Sequence, residues 1–412
     1  MKGVSSAAVA SLRYRWVILF VCWLAYTVAS MQRFGVGPLA PFLKEDLGLT
    51  KAQAGLFVTA AAFGFMLALI PSGWLVDRIG VRWLLLIGEV FGGIFVASVL
   101  TVTSFTQGLV LMALGGIGMG CILPATTKGV LVWFPDNERA TAMGFKQTAL
   151  NMAGIVTAST LPAVALALSW QHAFFIIGIA AIVVGIVSFV LYKPPPEGAL
   201  AGTANPSTIP AARASVREVF QSRDIWLLVG TGVFFVVVEF AAHTYFVLYL
   251  QDVLLFTVVR AGFFLALLNA GGAFGKPLTG LMSDRLFHGS RKRVFMLIIF
   301  VTILMSLAFA LLPQGSPSWL IVVLSLVMGY TGLGWGGLHL TLIGEFAGKE
   351  LAGTVTGLVV VIVMLGNMAG PPLFGYIVDK TDSYRVAWQF LAIMSAVALC
   401  FLFFVREGKK KI

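Results

Sequence analysis

Charge is scarce in this chain of 412 residues. Asp, Glu, Lys and Arg together make up 11% of it, whereas 59% is hydrophobic and the mean hydropathy is +0.96. A soluble multi-domain protein would have to bury almost every segment of such a sequence. The composition therefore argues against that class and predicts a polytopic membrane protein.

Residues that hold metals, disulfides or nucleotides are also rare. The three cysteines, Cys22, Cys121 and Cys400, lie in apolar segments without metal-ligand spacing, so we predict no disulfide, no metal site and no cofactor. The glycines of GGIGMG at 115–120 lack the spacing and the strand–turn–helix context of a Rossmann fingerprint. The chain also offers no nucleophile–base pair at usable spacing, which argues against an intramembrane enzyme.

Long apolar runs divide the chain into segments that can each cross a bilayer as a helix of about 20 residues. The predicted spans are 16–43, 53–76, 82–103, 106–133, 139–166, 170–192, 225–252, 259–284, 294–313, 318–345, 353–377 and 385–405. We therefore expect twelve transmembrane helices. The first run is too long, and too polar at its far end, for a cleaved signal peptide.

Basic residues are distributed unevenly between the two sets of connecting loops. One set, together with both termini, carries most of the lysines and arginines, whereas the opposite set carries only Lys44, Lys51, Arg260, Lys380 and Arg385. By the positive-inside rule, both termini are expected in the cytoplasm, and the membrane is expected to be a bacterial inner membrane. The net charge of +11 then reflects topology and does not indicate binding to nucleic acid.

The chain divides into two halves that share a motif. A segment rich in Pro, Ala, Ser and Gly separates residues 1–192 from residues 223–412, and we predict a cytoplasmic linker at 193–222. The second span ends in GWLVDRIGVR and the eighth in GLMSDRLFHGSRKR. A positive-inside loop would explain the arginines of both stretches but not the repeated Gly and Asp spacing.

This repeated motif resembles G-x-x-x-D-R-x-G-x-R, the signature of the major facilitator superfamily. The resemblance implies an all-α membrane protein with twelve transmembrane helices in two pseudo-symmetric six-helix bundles, the major facilitator fold, and a substrate site between the bundles near the bilayer midplane. It also implies a cytoplasmic gate, in which glycine allows close helix approach. The predicted gate residues are Gly73, Asp77, Arg78, Arg82, Asp284 and Arg285.

Polar residues inside the spans are the candidates for function. Arg33 stands in an otherwise uncharged run, and a charge at membrane depth is usually retained only where it faces a protein interior or a water-filled pathway. Other polar residues share helical faces at spacings of three, four or seven. The predicted substrate-binding residues are Arg33, Lys276, Tyr26, Lys146, Gln147, Asn151, Asn269, Tyr330, Trp335, His339 and Asn367, and the predicted proton-coupling residues are Glu239 and His243.

Each candidate has a structural alternative. Arg33 could form a salt bridge, and Glu239 could pair with Lys276. Gln147 and Asn151 could join helices by hydrogen bonds, either histidine could bind a backbone carbonyl, and the aromatic residues could simply pack. Lys146 lies about 100° away from Gln147 on an ideal helix, so its place on the shared face is open. Glu89 in the third span is expected to pair with a neighbouring polar residue of its bundle.

The charges inside the spans indicate the sign of the substrate. Arg33 and Lys276, with Lys146, outnumber Glu239, and surplus positive charge favours an anion. Arginine also suits a carboxylate through paired N–H bonds. The stretch YTVASMQRFGVGPLAP, followed by GWLVDRIGVR, resembles anion:cation symporters, where a helix-1 arginine contacts the anionic substrate. Monocarboxylate and oxalate-type carriers are alternative relatives, since Lys276 stands where they often have arginine.

These features predict a monomeric secondary active transporter that moves a small mono- or dicarboxylate across the lipid bilayer by proton symport. An anion exchanger is one alternative; it needs no protonatable residue, so Glu239 discriminates between the two. A proton-coupled drug exporter is another, but it would be expected to show an acid in helix 1 and the motif G-P-x-x-G-G in helix 5, which reads MAGIVTASTLPAVAL.

Overall fold

The protein is described by a computed structural model that is almost entirely helical. The structure describes residues 6–194, 219–287 and 290–406. The predicted linker at 193–222 lies mostly outside these ranges. Within the described part of the chain there is no β-strand.

Eleven long helices and one short 3-10 helix, Ser98–Thr101, make up the described structure. The helices are α1 (Ser6–Asp46), α2 (Lys51–Ala97), α3 (Phe105–Trp133), α4 (Asp136–Ala167), α5 (Trp170–Leu191), α6 (Arg223–Asp252), α7 (Val258–Arg285), α8 (Arg291–Leu311), α9 (Ser318–Gly332), α10 (Gly336–Thr381) and α11 (Tyr384–Phe404). Eleven stretches are long and apolar enough to cross a membrane.

Helix α2 contains two of the predicted spans. Its 47 residues are interrupted at Gly80, whose φ of 83° and ψ of 165° are not helical. Backbone with positive φ suits glycine because glycine has no Cβ. A straight helix of this length would be about 70 Å long, whereas a hydrocarbon core is about 30 Å thick. Since α2 provides two crossings, the twelve predicted transmembrane helices are confirmed.

The tenth predicted span is a broken helix. Helix α9 ends at Gly332, residues 333–335 leave the helical hydrogen-bond pattern, and α10 then begins at Gly336. Helix α10 continues through the eleventh predicted span to Thr381, where the sequence had indicated two separate helices. The stretch EFAGKELAG between the two predicted spans contains several good helix formers, so the helix can continue through it.

The chain forms two compact units. Unit one comprises Met1–Gly35, Ala60–Thr157 and Val164–Asn205, and unit two comprises Val36–Thr59, Ala158–Ala163 and Pro206–Ile412. The end of α1 and the start of α2 therefore pack with the second half of the chain in unit two. The six-helix halves at 1–192 and 223–412 stay a prediction.

Small residues bring helices close together in both units. In unit one, a Cβ on Gly116 or Gly120 of α3 would collide with backbone of α2 at Ala61 or Phe65. In unit two, a Cβ on Gly329 of α9 would collide with the backbone of Leu268 in α7. Such contacts hold membrane helices together by close van der Waals packing, since lipid provides no hydrophobic force between helices.

Candidate functional site

Arg33 and Tyr26 lie buried on α1 in unit one. Arg33 is 8% exposed and Tyr26 is 4% exposed. The guanidinium of Arg33 acts electrostatically on the Tyr26 hydroxyl, and its central carbon lies 5.9 Å from the ring centre of Phe34. The sequence-predicted pair, seven residues apart, therefore shares one side of α1.

Lys146 of α4 approaches the same side of α1. Its side chain is fully buried, its Nζ donates a hydrogen bond to Thr127 Oγ1 at 3.0 Å, and it lies 4.5 Å from the ring centre of Tyr26. A cation over an aromatic face is attracted by the ring's quadrupole. In unit one, Lys146 thus lies over the ring of Tyr26, and Arg33 interacts electrostatically with the same tyrosine.

The two amides of α4, Gln147 and Asn151, follow Lys146 closely in the sequence. Asn151 is buried, and Gln147 is half-buried. The Gln147 Oε1 atom is buried, and the described residues give it no hydrogen-bond partner. Both residues stay candidates for substrate binding.

Glu239 is at the centre of the polar cluster in unit two. It lies midway along α6, half-buried, and its Oε2 accepts a hydrogen bond of 2.8 Å from Trp335 Nε1. Lys276 of α7 interacts electrostatically with the same carboxylate. Three residues predicted from the sequence, Glu239, Lys276 and Trp335, therefore form one cluster.

The break between α9 and α10 positions the indole of Trp335. Trp335 is the last residue before α10 and is 5% exposed. A Cβ on the preceding Gly334 would lie 3.0 Å from Gly275 Cα, next to Lys276. The glycine therefore lets the broken backbone contact α7, and the indole N–H reaches the carboxylate from this break. Discontinuous helices of this kind commonly form the binding sites of transporters.

The other polar candidates of unit two are more deeply buried. Asn269 Nδ2 lies 3.2 Å from His243 Nε2 and also donates to the backbone oxygen of Leu265 at 2.9 Å. His339 Nε2 lies 2.9 Å from the backbone oxygen of Leu228, which is the structural alternative considered for the histidines. Asn367 is fully buried, whereas Tyr330 is half-buried.

The predicted gate residues of α2 form contacts where the first membrane crossing of this helix ends. Asp77 Oδ1 lies 2.7 Å from Lys128 Nζ. The guanidinium of Arg78 stacks 3.7 Å from the ring centre of Trp74, and Arg82 Nε donates to the backbone oxygen of Phe189 at 2.6 Å.

The second copy of the motif and the motif glycine Gly73 form fewer close contacts. In the second copy, Asp284 lies 4.0 Å from Arg291, while Arg285 is exposed. The close helix approach expected at Gly73 is not made in this conformation, since a Cβ there would meet no atom of the described residues within 4 Å.

A second cluster lies on the opposite face, here called the distal face, which carries the ends of α1, α6 and α10 and the starts of α2, α7 and α11. The carboxylate of Asp379 accepts hydrogen bonds from the backbone N–H groups of Lys51 at 3.0 Å and Ala52 at 2.8 Å. Lys51 Nζ lies 3.8 Å from Asp252 Oδ2, and the hydroxyl of Tyr384 donates to that same oxygen at 2.8 Å. We name Lys51, Ala52, Asp252, Asp379 and Tyr384 the distal cluster.

Sequence reasoning missed the distal cluster, although a signal for it exists. The stretch GYIVDK at 375–380 repeats the pattern of GWLVDR at 73–78. The third copy places Asp379 at the end of α10, where it caps the N-terminus of α2. A carboxylate at that position satisfies N–H groups that have no partner inside the helix and interacts favourably with the helix dipole.

Comparison with known proteins decides the family. A family model described as Major Facilitator Superfamily matches residues 22–367 and 290–412. The chain belongs to the Major Facilitator Superfamily. It is thus a multi-pass integral membrane protein of a transporter family, and the sequence-based expectation of fold and family is confirmed.

The similar proteins of this superfamily include transporters of organic acids. The chain is 27% identical to the probable sulfoacetate transporter SauU of Cupriavidus necator, covering 95% of this chain and 94% of the relative. It is 24% identical to the probable galactarate/D-glucarate transporter GudP of Bacillus subtilis, covering 93% and 90%. It is also 27% identical to the probable L-galactonate transporter of Escherichia coli, covering 96% and 90%.

Solved structures have the same fold. A bacterial homologue of the human lysosomal transporter Spinster superposes with a TM-score of 0.79 at 19% identity, covering 95% of this chain and 97% of that one. A mutant of the nucleoside transporter NupG superposes with a TM-score of 0.78 at 14% identity, covering 96% and 100%.

Proposed function

We propose that this protein is a proton symporter for a small organic acid anion. The cluster of Glu239, Lys276 and Trp335 carries the proposal, because it holds a carboxylate that accepts a hydrogen bond from Trp335 within electrostatic range of a lysine inside a helical bundle. The substrates named for the three relatives are all organic acids. We propose a mono- or dicarboxylate, or a sulfonate of similar size, as the cargo.

The positively charged residues proposed to interact with the anion differ in chemistry. Arg33 offers a planar fork that can bind both oxygens of a carboxylate, whereas Lys276 offers a point charge. Lys146 supplies further positive charge in unit one, where Tyr26 and Thr127 already contact it. We assign Arg33 and Lys276 to direct substrate contact and Lys146 to the positive potential around Tyr26.

Coupling follows from competition for Lys276. In the anion-free state Lys276 and the indole of Trp335 stabilise the ionised carboxylate of Glu239. An arriving anion takes over Lys276, so Glu239 loses a counter-charge and binds a proton. On release of the anion, Lys276 interacts with Glu239 again and the proton leaves. Each transported anion therefore moves with a proton.

Replacement of Glu239 by Gln tests this proposal. Purified protein in liposomes is given an imposed pH gradient, and uptake of sulfoacetate, D-glucarate and L-galactonate is measured. We expect Glu239→Gln to abolish uphill uptake and to leave exchange between preloaded and external substrate largely intact. The matched control is Glu45→Gln, which removes an exposed acid from the distal face. Uphill uptake by Glu239→Gln at the wild-type rate would contradict the assignment.

An anion exchanger is the second candidate function, because Arg33 and Lys276 would bind an anion without any proton. The same experiment separates the two candidates: an exchanger shows no pH-driven accumulation even in the wild type. We further propose that both termini lie in the cytoplasm, on the distribution of basic residues alone, and that the protein acts as a monomer.

A further inference from the structure

Glu89 is a buried acid that the proposed cycle does not use. It lies in α2 beyond the break at Gly80 and is 2% exposed. The sequence predicted a polar partner for it. In the part of the chain that the structure describes, the buried Oε1 atom of Glu89 has no hydrogen-bond partner.

Glu89 lines a cavity inside unit one. The cavity has a volume of about 10 Å³ and is lined by residues of α1, α2, α3 and α5, among them Gln32, Glu89, Gly115 and Ile177. This volume is close to the room that one water molecule needs. Gly115 keeps the space open, because a Cβ there would lie 2.5 Å from Gln32 Nε2.

Few groups can compensate a charge at this position. Glu89 is the only ionisable side chain among the residues that line the cavity. From α1 the polar lining side chain is Gln32, which donates its Nε2 hydrogen to the backbone oxygen of Met112 at 2.8 Å. Arg33 follows Gln32 in the sequence and does not line the cavity. From α3, Cys121 lies on the neighbouring turn beside Gly88, and α5 contributes only apolar lining residues.

A carboxylate enclosed in this way would be far more costly than a neutral carboxylic acid. Glutamine would fill the same volume at lower cost, so packing alone gives no reason for an acid. Glu89 is therefore a group that holds a proton in the arrangement seen here and can give it up only when water or a cation enters the cavity.

We propose that Glu89 is a second proton-binding site of the transport cycle, located between α1, α2, α3 and α5 of unit one. The role of Glu89 in transport rests on the proposed symport and deepens it. The ability of Glu89 to titrate does not depend on the symport. The proton binds to the Glu89 carboxylate when the cavity is closed and leaves to water when movement of α1 against α3 hydrates the cavity. No other bond forms or breaks.

The first test counts protons for each transported anion. Liposomes containing the protein and a trapped pH dye receive labelled anion, using whichever of sulfoacetate, D-glucarate and L-galactonate the wild type transports. We expect Glu89→Gln to lower the measured ratio of protons to anions by about one and Glu45→Gln to leave it unchanged. An unchanged ratio in Glu89→Gln overturns the inference and leaves the proposed symport intact.

The second test observes the proton on Glu89 directly. Infrared difference spectra of the purified protein, recorded as the pH is raised, should lose a band of a protonated carboxyl group that is absent from Glu89→Gln and shifted in Glu89→Asp. A spectrum without any such Glu89-dependent band overturns the inference. If the wild type moves no protons at all, the proposed symport fails, whereas the infrared titration still decides whether Glu89 titrates. Glu89→Asp retains the acid and decides the case if Glu89→Gln does not fold.

Discussion

Neutralising Asp379 should open the distal face. In this conformation the Asp379 carboxylate accepts two backbone hydrogen bonds, at 3.0 and 2.8 Å, from the start of α2. Asparagine keeps one oxygen acceptor, so Asp379→Asn loses one of the two bonds and the charge that interacts with the helix dipole. A hydrogen bond to a charged group contributes about 1.5–3 kcal/mol, and a charge at a helix terminus about 0.3–1 kcal/mol.

Exposure of Asp379 reduces these values. Its side chain is exposed, and solvent screens exposed charges strongly. We therefore expect Asp379→Asn to destabilise the contact between α10 and the start of α2 by about 1–2 kcal/mol, which changes the ratio of molecules with and without this contact by about 5 to 30-fold. The remaining contacts of the distal cluster, Lys51 with Asp252 and Tyr384 with Asp252, stay in place.

A cysteine beneath the cluster reports this change. Thr59 of α2 donates a hydrogen bond of 2.6 Å to the backbone oxygen of Met368 in α10, two turns deeper than Ala52. In a background without native cysteines, Thr59→Cys should react faster with a membrane-impermeant maleimide in the Asp379→Asn variant.

The matched control for this experiment is Asp382→Asn. It removes the same charge from the same end of α10, and Asp382 has a φ of 49°, which asparagine tolerates. In the described structure no hydrogen bond joins Asp382 to α2. An unchanged labelling rate in Asp379→Asn, or an equal increase in Asp382→Asn, would refute the reasoning.

Two further substitutions test the polar clusters. Arg33→Lys keeps the charge but loses the planar fork, so calorimetry should show at least about a tenfold weaker affinity for the transported anion, or roughly 1.4 kcal/mol; unchanged affinity in a folded Arg33→Ala protein would contradict the role of Arg33. Trp335→Phe removes the indole donor to Glu239, worth about 1.5–3 kcal/mol. In a double-mutant cycle with Glu239→Gln, read by the unfolding temperature, its effect should be smaller than in the wild type; additive effects would argue against the pair.

Features set by local composition could be predicted from the sequence. The number of crossings follows from hydropathy, and the repeated motif predicts the gate residues, whose role stays a prediction. The sequence also selected Glu239 and Lys276 as a candidate pair and Trp335 as a further polar residue inside a span. The contact of Trp335 with Glu239 could not be derived, because it depends on the break at 333–335 that directs the indole towards α6. The glycines of GLGWGG at 332–337 are the signal of that break.

Side-chain length explains why the helical face left the place of Lys146 open. Its backbone position lies off the face of Gln147, yet its side chain reaches the ring of Tyr26 on α1. A lysine stem with several rotatable bonds is not restricted to the face of its own Cα. Glu89 was misjudged for a different reason: the cavity beside it depends on four glycines, Gly88, Gly92, Gly93 and Gly115, whose alignment only the packed helices determine.

The contacts at the two faces are weak enough for a transporter that alternates between two conformations. Asp77 and Asp379 are both exposed, both follow the same G-x-x-x-D pattern, and each joins neighbouring helices at one face. Exposed contacts of this kind differ by only a few kcal/mol between open and closed states. A ligand shifts such a balance only by its difference in affinity for the two states, and a change from 1:99 to 99:1 needs about 5.5 kcal/mol. In the proposed symport, weak contacts at the faces would therefore leave control of the conformational change to the anion and to the protonation of Glu239 and Glu89.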